Sequence, residues 1–208
     1  EEEALEFFNG IGGFANQGRE YVCRLEGRKM TPLPWINVVA NPAFGFQVSA
    51  RGSGYTWAEN SRDNQLTPWS NDAVCDPSGE AFYLFDRESG ALWSPTAQPI
   101  DDGGRYESRH GWGYSSFRHR ANQIETTLLH YVPLADAVKI SRLTVRNLSQ
   151  RRRVIQVTAY AEWVLGSQRG ATAPFVITDR DAHSGAIRAR NLWGMQFPGR
   201  VAFGCLRE

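Results

Sequence analysis

The 208-residue sequence has no apolar run near the roughly 20 residues a membrane-spanning helix requires, and its acidic start, Glu1-Glu2-Glu3, is unlike a signal peptide. Cysteine is sparse: Cys23, Cys75 and Cys205 are far apart, odd in number and without C-x-x-C spacing. Neither a disulfide framework nor a zinc site is indicated, each thiol is expected to be a small buried group, and a reducing cytoplasm is the simplest setting. No sign of charge dominates, since 23 Lys and Arg face 22 Asp and Glu for a formal net charge of +1. That balance argues against a nucleic-acid partner, and 41% hydrophobic with 22% charged residues argues against a disordered tail. The catalytic motifs G-x-S-x-G and H-E-x-x-H are missing, as is a Gly-rich phosphate loop with its Lys. Gly10-Ile-Gly-Gly13 leads into the polar turn Asn16-Gln17-Gly18 instead of a helix, so no nucleotide and no other cofactor is expected.

Helical periodicity is scarce too, whereas short runs rich in Val, Ile, Thr, Tyr, Phe and Trp recur between clusters of Gly, Pro, Asn and Asp. The pattern predicts an all-β chain with few or no helices. Strands are expected at Glu20–Leu25, Trp35–Ala40, Gly45–Ala50, Glu80–Asp86, Gly113–Arg120, Gln123–Val132, Val138–Asn147, Arg153–Leu165, Phe175–Asp179, Ala186–Arg190 and Val201–Cys205. In Arg153–Leu165, Ile155, Val157, Ala159, Ala161 and Trp163 alternate with polar residues, the period-two mark of a half-buried antiparallel strand. The inward phase switches between Ile140 and Leu143, which predicts a bulge near Ser141. Two hairpin turns look alike, Asp86-Arg-Glu-Ser-Gly90 and Asp181-Ala-His-Ser-Gly185, and Asn147-Leu-Ser149 is expected to be a turn. Many strands with short turns point to a large antiparallel β-sandwich, with barrel closure as the alternative. No linker divides the chain, so one domain over residues 1–208 is expected. The strand expected at Arg200–Glu208 has no cap after it, so a longer natural chain is expected as well.

The densest mixture of aromatic and polar chemistry lies between Ser53 and Asp72. Trp57 and Trp69 are interleaved there with Glu59, Asn60, Arg62, Asp63, Asn64, Gln65, Asn71 and Asp72. Planar aromatic faces suit the C–H faces of a sugar ring, while amides, carboxylates and a guanidinium bond directionally to hydroxyls. Core tryptophans and ordinary turn chemistry account for the same residues equally well, with Arg62 and Asp63 holding the loop through an ion pair. His110, in a segment dense with Gly and aromatics, is the histidine best placed for a polar contact, whereas His119 and His130 fall within strand patterns and are expected to be structural. A glycosidase needs two facing carboxyl groups, and Glu59, Asp63 and Asp72 offer no spacing that establishes such a pair.

Longer motifs carry a resemblance. Asn9-Gly-Ile-Gly-Gly-Phe14, Thr31-Pro-Leu-Pro-Trp-Ile-Asn-Val38, Asn41-Pro-Ala-Phe-Gly-Phe46, Gly54-Tyr-Thr-Trp-Ala-Glu-Asn-Ser-Arg62, Asn64-Gln-Leu-Thr-Pro-Trp-Ser-Asn-Asp72, Trp93-Ser-Pro95, His110-Gly-Trp-Gly-Tyr114 and Ala161-Glu-Trp-Val-Leu-Gly166 resemble cyclic β-1,2-glucan synthases over nearly the whole chain. More distantly, Trp93-Ser-Pro95, Pro99 and the His110 run resemble cellobiose and chitobiose phosphorylases. The resemblance implies a mutarotase-like supersandwich that precedes a catalytic (α/α)6 barrel and has no catalytic residue of its own. It implies as partners a glucan or oligosaccharide and the barrel of the parent chain, and it allows a homodimer. It implies a parent enzyme at the cytoplasmic face in a bacterium, with an inner-membrane anchor allowed. Gln168 and Arg169, in Gly166-Ser-Gln-Arg-Gly-Ala-Thr172, are the nearest counterparts of the family's acceptor-side loop. An independent carbohydrate-binding module and a purely structural interface domain stay open as alternatives.

Overall fold

The computed structural model describes residues 3–207; Glu1 and Glu2 of the acidic start, and Glu208 at the end of the last expected strand, lie outside the described residues. In chain order the strands are β1 (Gly12–Ala15), β2 (Glu20–Leu25), β3 (Ile36–Asn41), β4 (Phe44–Ser49), β5 (Gly54–Ala58), β6 (Glu80–Asp86), β7 (Leu92–Trp93) and β8 (Tyr106–Gly111). They continue as β9 (Tyr114–Ala121), β10 (Ile124–Tyr131), β11 (Ile140–Asn147), β12 (Ile155–Ala161), β13 (Val176–Arg180), β14 (Ile187–Asn191) and β15 (Ala202–Gly204). Only one helical turn, α1 (Arg169–Thr172), and a short 3-10 turn over Ala173–Phe175 interrupt them among the described residues.

Six strands form one sheet in the order β1-β2-β8-β9-β10-β11, and three smaller sheets follow the orders β3-β4-β5, β12-β6-β7 and β13-β14-β15. Every pairing is antiparallel. Alternation decides which face of the large sheet is covered: in β9, Ser115, Phe117 and His119 point inward while Arg118 and Arg120 face solvent. Val39, Phe46 and Val48 of the β3-β4-β5 sheet pack on Phe117 and Leu128, and Leu84 and Trp93 of the β12-β6-β7 sheet pack on Ile124. Two small sheets thus cover the same face of the large one. Each fully buried side chain of this size contributes about 1.5–3 kcal/mol by leaving water.

Several expectations change. β12 is real but ends at Ala161, and as the edge of its sheet it keeps only Ile155 partly covered, with Val157, Ala159 and Ala161 exposed. No bulge occurs at Ser141, because β11 pairs with β10 in unbroken register from Ile140 to Asn147 and Val138 precedes the strand. Cys75 and Cys205 are exposed, while Cys23 is buried and its thiol is pushed up to about 11 by that burial. His110 lies in β8, not in a loop. His119 and His130 are structural: His119 lies against Arg105 O at 2.9 Å and Asp102 at 3.0 Å, and His130 sits among the rings of Phe46, Phe82 and Phe117, held neutral first by burial and then by Lys139.

The two similar hairpin turns are built alike. Gly90 N–H donates to Asp86 O and Gly185 N–H to Asp181 O, both at 2.9 Å, and each Asp carboxylate accepts from the Ser hydroxyl three residues on. Each turn closes on a glycine at φ 74°. Gly90→Ala and Gly185→Ala are each expected to cost about 1 kcal/mol through the left-handed conformation, read as a lower urea midpoint with unchanged slope.

Candidate functional site

The stretch from Ser53 to Asp72 is part strand and part loop. Its first half is β5, at the edge of its sheet, where Tyr55 is buried beneath both tryptophans: its ring centre lies 5.2 Å from Trp57 and 5.8 Å from Trp69, the latter stacked at 20°. Trp57 packs on the backbone of Gly45, where a Cβ would lie 2.5 Å from Trp57 Cζ2, and does not reach the cleft. Trp69 rests on Tyr55 and stays 48% exposed.

The loop after β5 is shaped by its own side chains. Asn60 Oδ1 accepts from the N–H groups of Arg62 (2.9 Å) and Asp63 (2.8 Å), and Asn64 Nδ2 donates to Ala58 O at 2.9 Å. Among the described residues no ion pair joins Arg62 to Asp63, so those backbone bonds hold the loop. Glu59 pairs with Arg200 instead. Asn71 is exposed, and Asp72 accepts from the N–H groups of Cys75 and Val74, both at 2.9 Å, which hold its carboxyl below the usual range.

Gln65 is the joint of the site. Its backbone N–H donates to Gly166 O at 3.0 Å and its C=O accepts from Gly166 N–H at 3.2 Å, which ties this stretch to the Gly166–Thr172 segment. Its side chain accepts from Trp69 N–H at 3.1 Å and donates to Arg62 O at 3.3 Å, fixing the tryptophan's backbone. Between the two segments lies a cleft of about 320 Å³, whose wall includes Gln65, Trp69, Glu162, Ser167, Gln168 and Arg169. Arg169 is ion-paired with Glu162.

The fold therefore brings together Gln65, Trp69, Gln168 and Arg169 from the sequence candidates and leaves the others outside the cleft. Trp57, Asn60 and Asn64 shape the support, and Arg62, Asp63, Asn71 and Asp72 do not line it. His110 lies away from the cleft, inside the sandwich: its ring packs edge-on to Phe117, its Nδ1 meets Ser115 Oγ at 3.0 Å, its buried Nε2 has no hydrogen-bond partner among the described residues, and burial pushes the imidazole down to about 4. Glu162, Ser70 and Ser167 were not anticipated, although Glu162 stands inside the Ala161–Gly166 motif.

A partly exposed indole face beside an amide and a mutually neutralised Arg–Glu pair suits an uncharged polyhydroxylated ligand. The volume lies at the lower end of the range for small-molecule sites. Among the described residues lining the cleft Glu162 is the one carboxylate, short of the two that glycoside hydrolysis needs. Among the described residues no group of three or more His, Cys, Asp or Glu is placed to hold a metal ion, and no helix is long and apolar enough to cross a membrane.

Comparison with known proteins adds the family. The model described as "Glycosyl hydrolase 94, supersandwich domain" matches residues 19–208. The chain is 47% identical over 200 residues to the cyclic beta-(1,2)-glucan synthase NdvB of Rhizobium meliloti (strain 1021), covering 96% of this chain and 7% of that protein. It is 32% identical over 155 residues to the N,N'-diacetylchitobiose phosphorylase of Vibrio furnissii, covering 73% of this chain and 19% of that one. To the solabiose phosphorylase of Paenibacillus borealis it is 30% identical over 168 residues, covering 75% and 20% respectively. The chain thus spans at most a fifth of the length of these relatives.

Proposed function

This chain belongs to the glycosyl hydrolase 94 supersandwich family, and we propose that it is the accessory, non-catalytic carbohydrate-binding domain of a longer enzyme that synthesises or phosphorolyses β-linked glucans. The observation that carries the reading is the cleft in which Gln65 joins Trp69 to Gln168 and Arg169. Trp69 is the platform for a glucosyl ring, Gln168 and Arg169 bond its hydroxyls, and Glu162 orients Arg169. The names of the relatives support glucans and oligosaccharides as ligands. On the same reading the domain docks on the parent's catalytic barrel. Leu192, Trp193 and Met195, at 68%, 67% and 85% exposure, form the apolar patch that suits such a contact.

Titration calorimetry of this chain with β-1,2-linked gluco-oligosaccharides tests the proposal. Binding is expected with one site per chain, and Trp69→Ala is expected to weaken it at least tenfold, about 1.4 kcal/mol. Trp69 is half exposed, so the variant keeps its folded spectrum. Silence at millimolar ligand, or an unchanged affinity in Trp69→Ala, would sink the binding role. Phosphate release from glucose 1-phosphate by the isolated chain would overturn the non-catalytic one.

A further inference from the structure

β3 is the outer strand of the β3-β4-β5 sheet, and among the described residues it pairs only with β4. Ala50 N–H donates to Trp35 O, which fixes the parity of that pairing: Asn37, Val39 and Asn41 turn their backbone groups toward β4. The N–H and C=O groups of Ile36, Val38 and Ala40 therefore face the open edge, and among the described residues no backbone or side-chain group bonds to them. The side chains of Ile36 and Val38 are 48% and 55% exposed.

Natural sheet edges are usually guarded by charge, most often lysine, against pairing with another chain. β3 carries no such guard, since the residues from Met30 to Ala50 include no charged side chain. Two other long edges do carry charge: β11 contains Arg142 and Arg146, and β12 is bracketed by Arg151, Arg152, Arg153 and Glu162. β3 is also held in place. Asn37 Nδ2 lies 3.1 Å from Gly111 O and 2.9 Å from Tyr114 O, and Asn41 Nδ2 lies 2.9 Å from both Pro133 O and Asp136 O. These side chains pin β3 to the facing ends of β8 and β9 and to the loop between β10 and β11, so little ordering remains to be done when the edge meets a partner.

We propose that β3 is a pairing edge, and that its occupant is β3 of a second copy of this chain, added antiparallel across a two-fold axis at Val38. The self-pairing follows from the geometry. An antiparallel strand paired with itself is two-fold symmetric, the commonest arrangement of soluble oligomers. The three residues with outward groups, Ile36, Val38 and Ala40, are themselves symmetric about Val38. Centring the axis there sets Val38 against Val38 of the second copy and Ile36 against Ala40 of the second copy, so every open backbone group of the three is used. A register centred on Ile36 or on Ala40 leaves some of them unpaired, and no like charges meet in the centred one. This edge is separate from the Trp69 cleft, so the pairing stands or falls independently of sugar binding.

Sedimentation of the chain under reducing conditions at roughly 100 µM tests the assignment, a concentration that populates any dimer with a Kd of about 10 µM or tighter. The wild type is expected to be dimeric, and Val38→Lys and Val38→Glu are each expected to be monomeric with unchanged circular dichroism. An equimolar mixture of the two variants is expected to dimerise again, because the axis sets lysine against glutamate. Val157→Lys, on β12, leaves the dimer intact. A monomeric wild type would overturn the proposal and hand the edge to another strand donor, such as a segment of the longer chain. A dimer that persists in Val38→Lys, or a mixture that stays monomeric, would overturn it equally.

Discussion

Glu80→Ala is expected to lower the stability of the fold by about 3 kcal/mol, the lower end of the cost of leaving a buried charge without its partner. Glu80 opens β6 beneath β5, with its side chain 18% exposed. One carboxylate oxygen accepts from the hydroxyls of Thr56 and Thr67, each at 2.5 Å, and the other is paired with Lys139. Lys139 lies 4.7 Å over the ring of Phe46. Truncation strands the Lys139 ammonium over the core and leaves two hydroxyls without their acceptor. Glu80→Gln with Lys139→Met, which removes both charges, is expected to cost less than Glu80→Ala alone. Chemical denaturation of the three proteins measures both effects.

Acid gives the same pair a second test. Burial pushes the Glu80 carboxyl up, but Lys139 first and then the two threonine hydroxyls outweigh it, so the folded value lies below the ordinary 4.5. A carboxyl depressed by folding stabilises the protein above its unfolded value and ceases to do so as the pH falls through its folded one. The stability difference between wild type and Glu80→Gln is therefore expected to be full at pH 7 and to shrink below about pH 4.5. A difference that grows in acid contradicts this account of the pair.

Phe46→Ala is expected to cost about 3–5 kcal/mol, which in a chain of this length lowers the melting temperature by about 10 °C. Phe46 is fully buried in β4 and packs with Val39 and Val48 of its own sheet and Phe117 and Leu128 of the large one. Its ring also lies 6.0 Å from that of His130 and beneath Lys139. The cavity opens where two sheets meet, and neither can close it without breaking strand pairs. Because Phe46 and Glu80 share Lys139, their combined loss is expected to differ from the sum of the single losses, which a double-mutant cycle measures.

How much of this was legible in the sequence depended on whether a residue's partner was local. β2 and β6 were readable to their ends, because their alternation and flanking turns lie within a few residues. β8 was not expected, since Glu107, Ser108, Arg109 and His110 look polar. Its outward Arg109 is paired with Glu107 of β8 itself and with Glu3 and Glu20 of the N-terminal segment and β2, and the Nδ1 of its inward His110 meets Ser115 of β9, so most of these partners lie far away in sequence or on the next strand. β5 was hidden for a related reason: Tyr55 stacks with Trp69 and lies against Trp57 while Thr56 bonds to Glu80, so neither face alternates cleanly. The turns at Asp86 and Asp181 were readable because aspartate, serine and glycine act on their own backbone.

The candidate site followed the same rule. Aromatic and amide content marked Trp69 and Gln65, and the family resemblance marked Gln168 and Arg169. That they share one wall depends on the bridge between Gln65 and Gly166, which no local pattern encodes. Asn60, Asn64 and Asp72 show the converse, since side chains that look free to bind a hydroxyl are engaged by backbone groups a few residues away.

The central claim is that Trp69 forms the sugar platform, and the most direct measurement follows the indole N–H signals of the seven tryptophans by NMR during titration with a β-1,2-linked gluco-oligosaccharide. Trp112 and Trp193, at 83% and 67% exposure, serve as open controls outside the cleft. The account predicts a saturable shift of the Trp69 signal with Trp112 and Trp193 unmoved. Shifts confined to those two, or no shift of Trp69 at millimolar ligand, would contradict it.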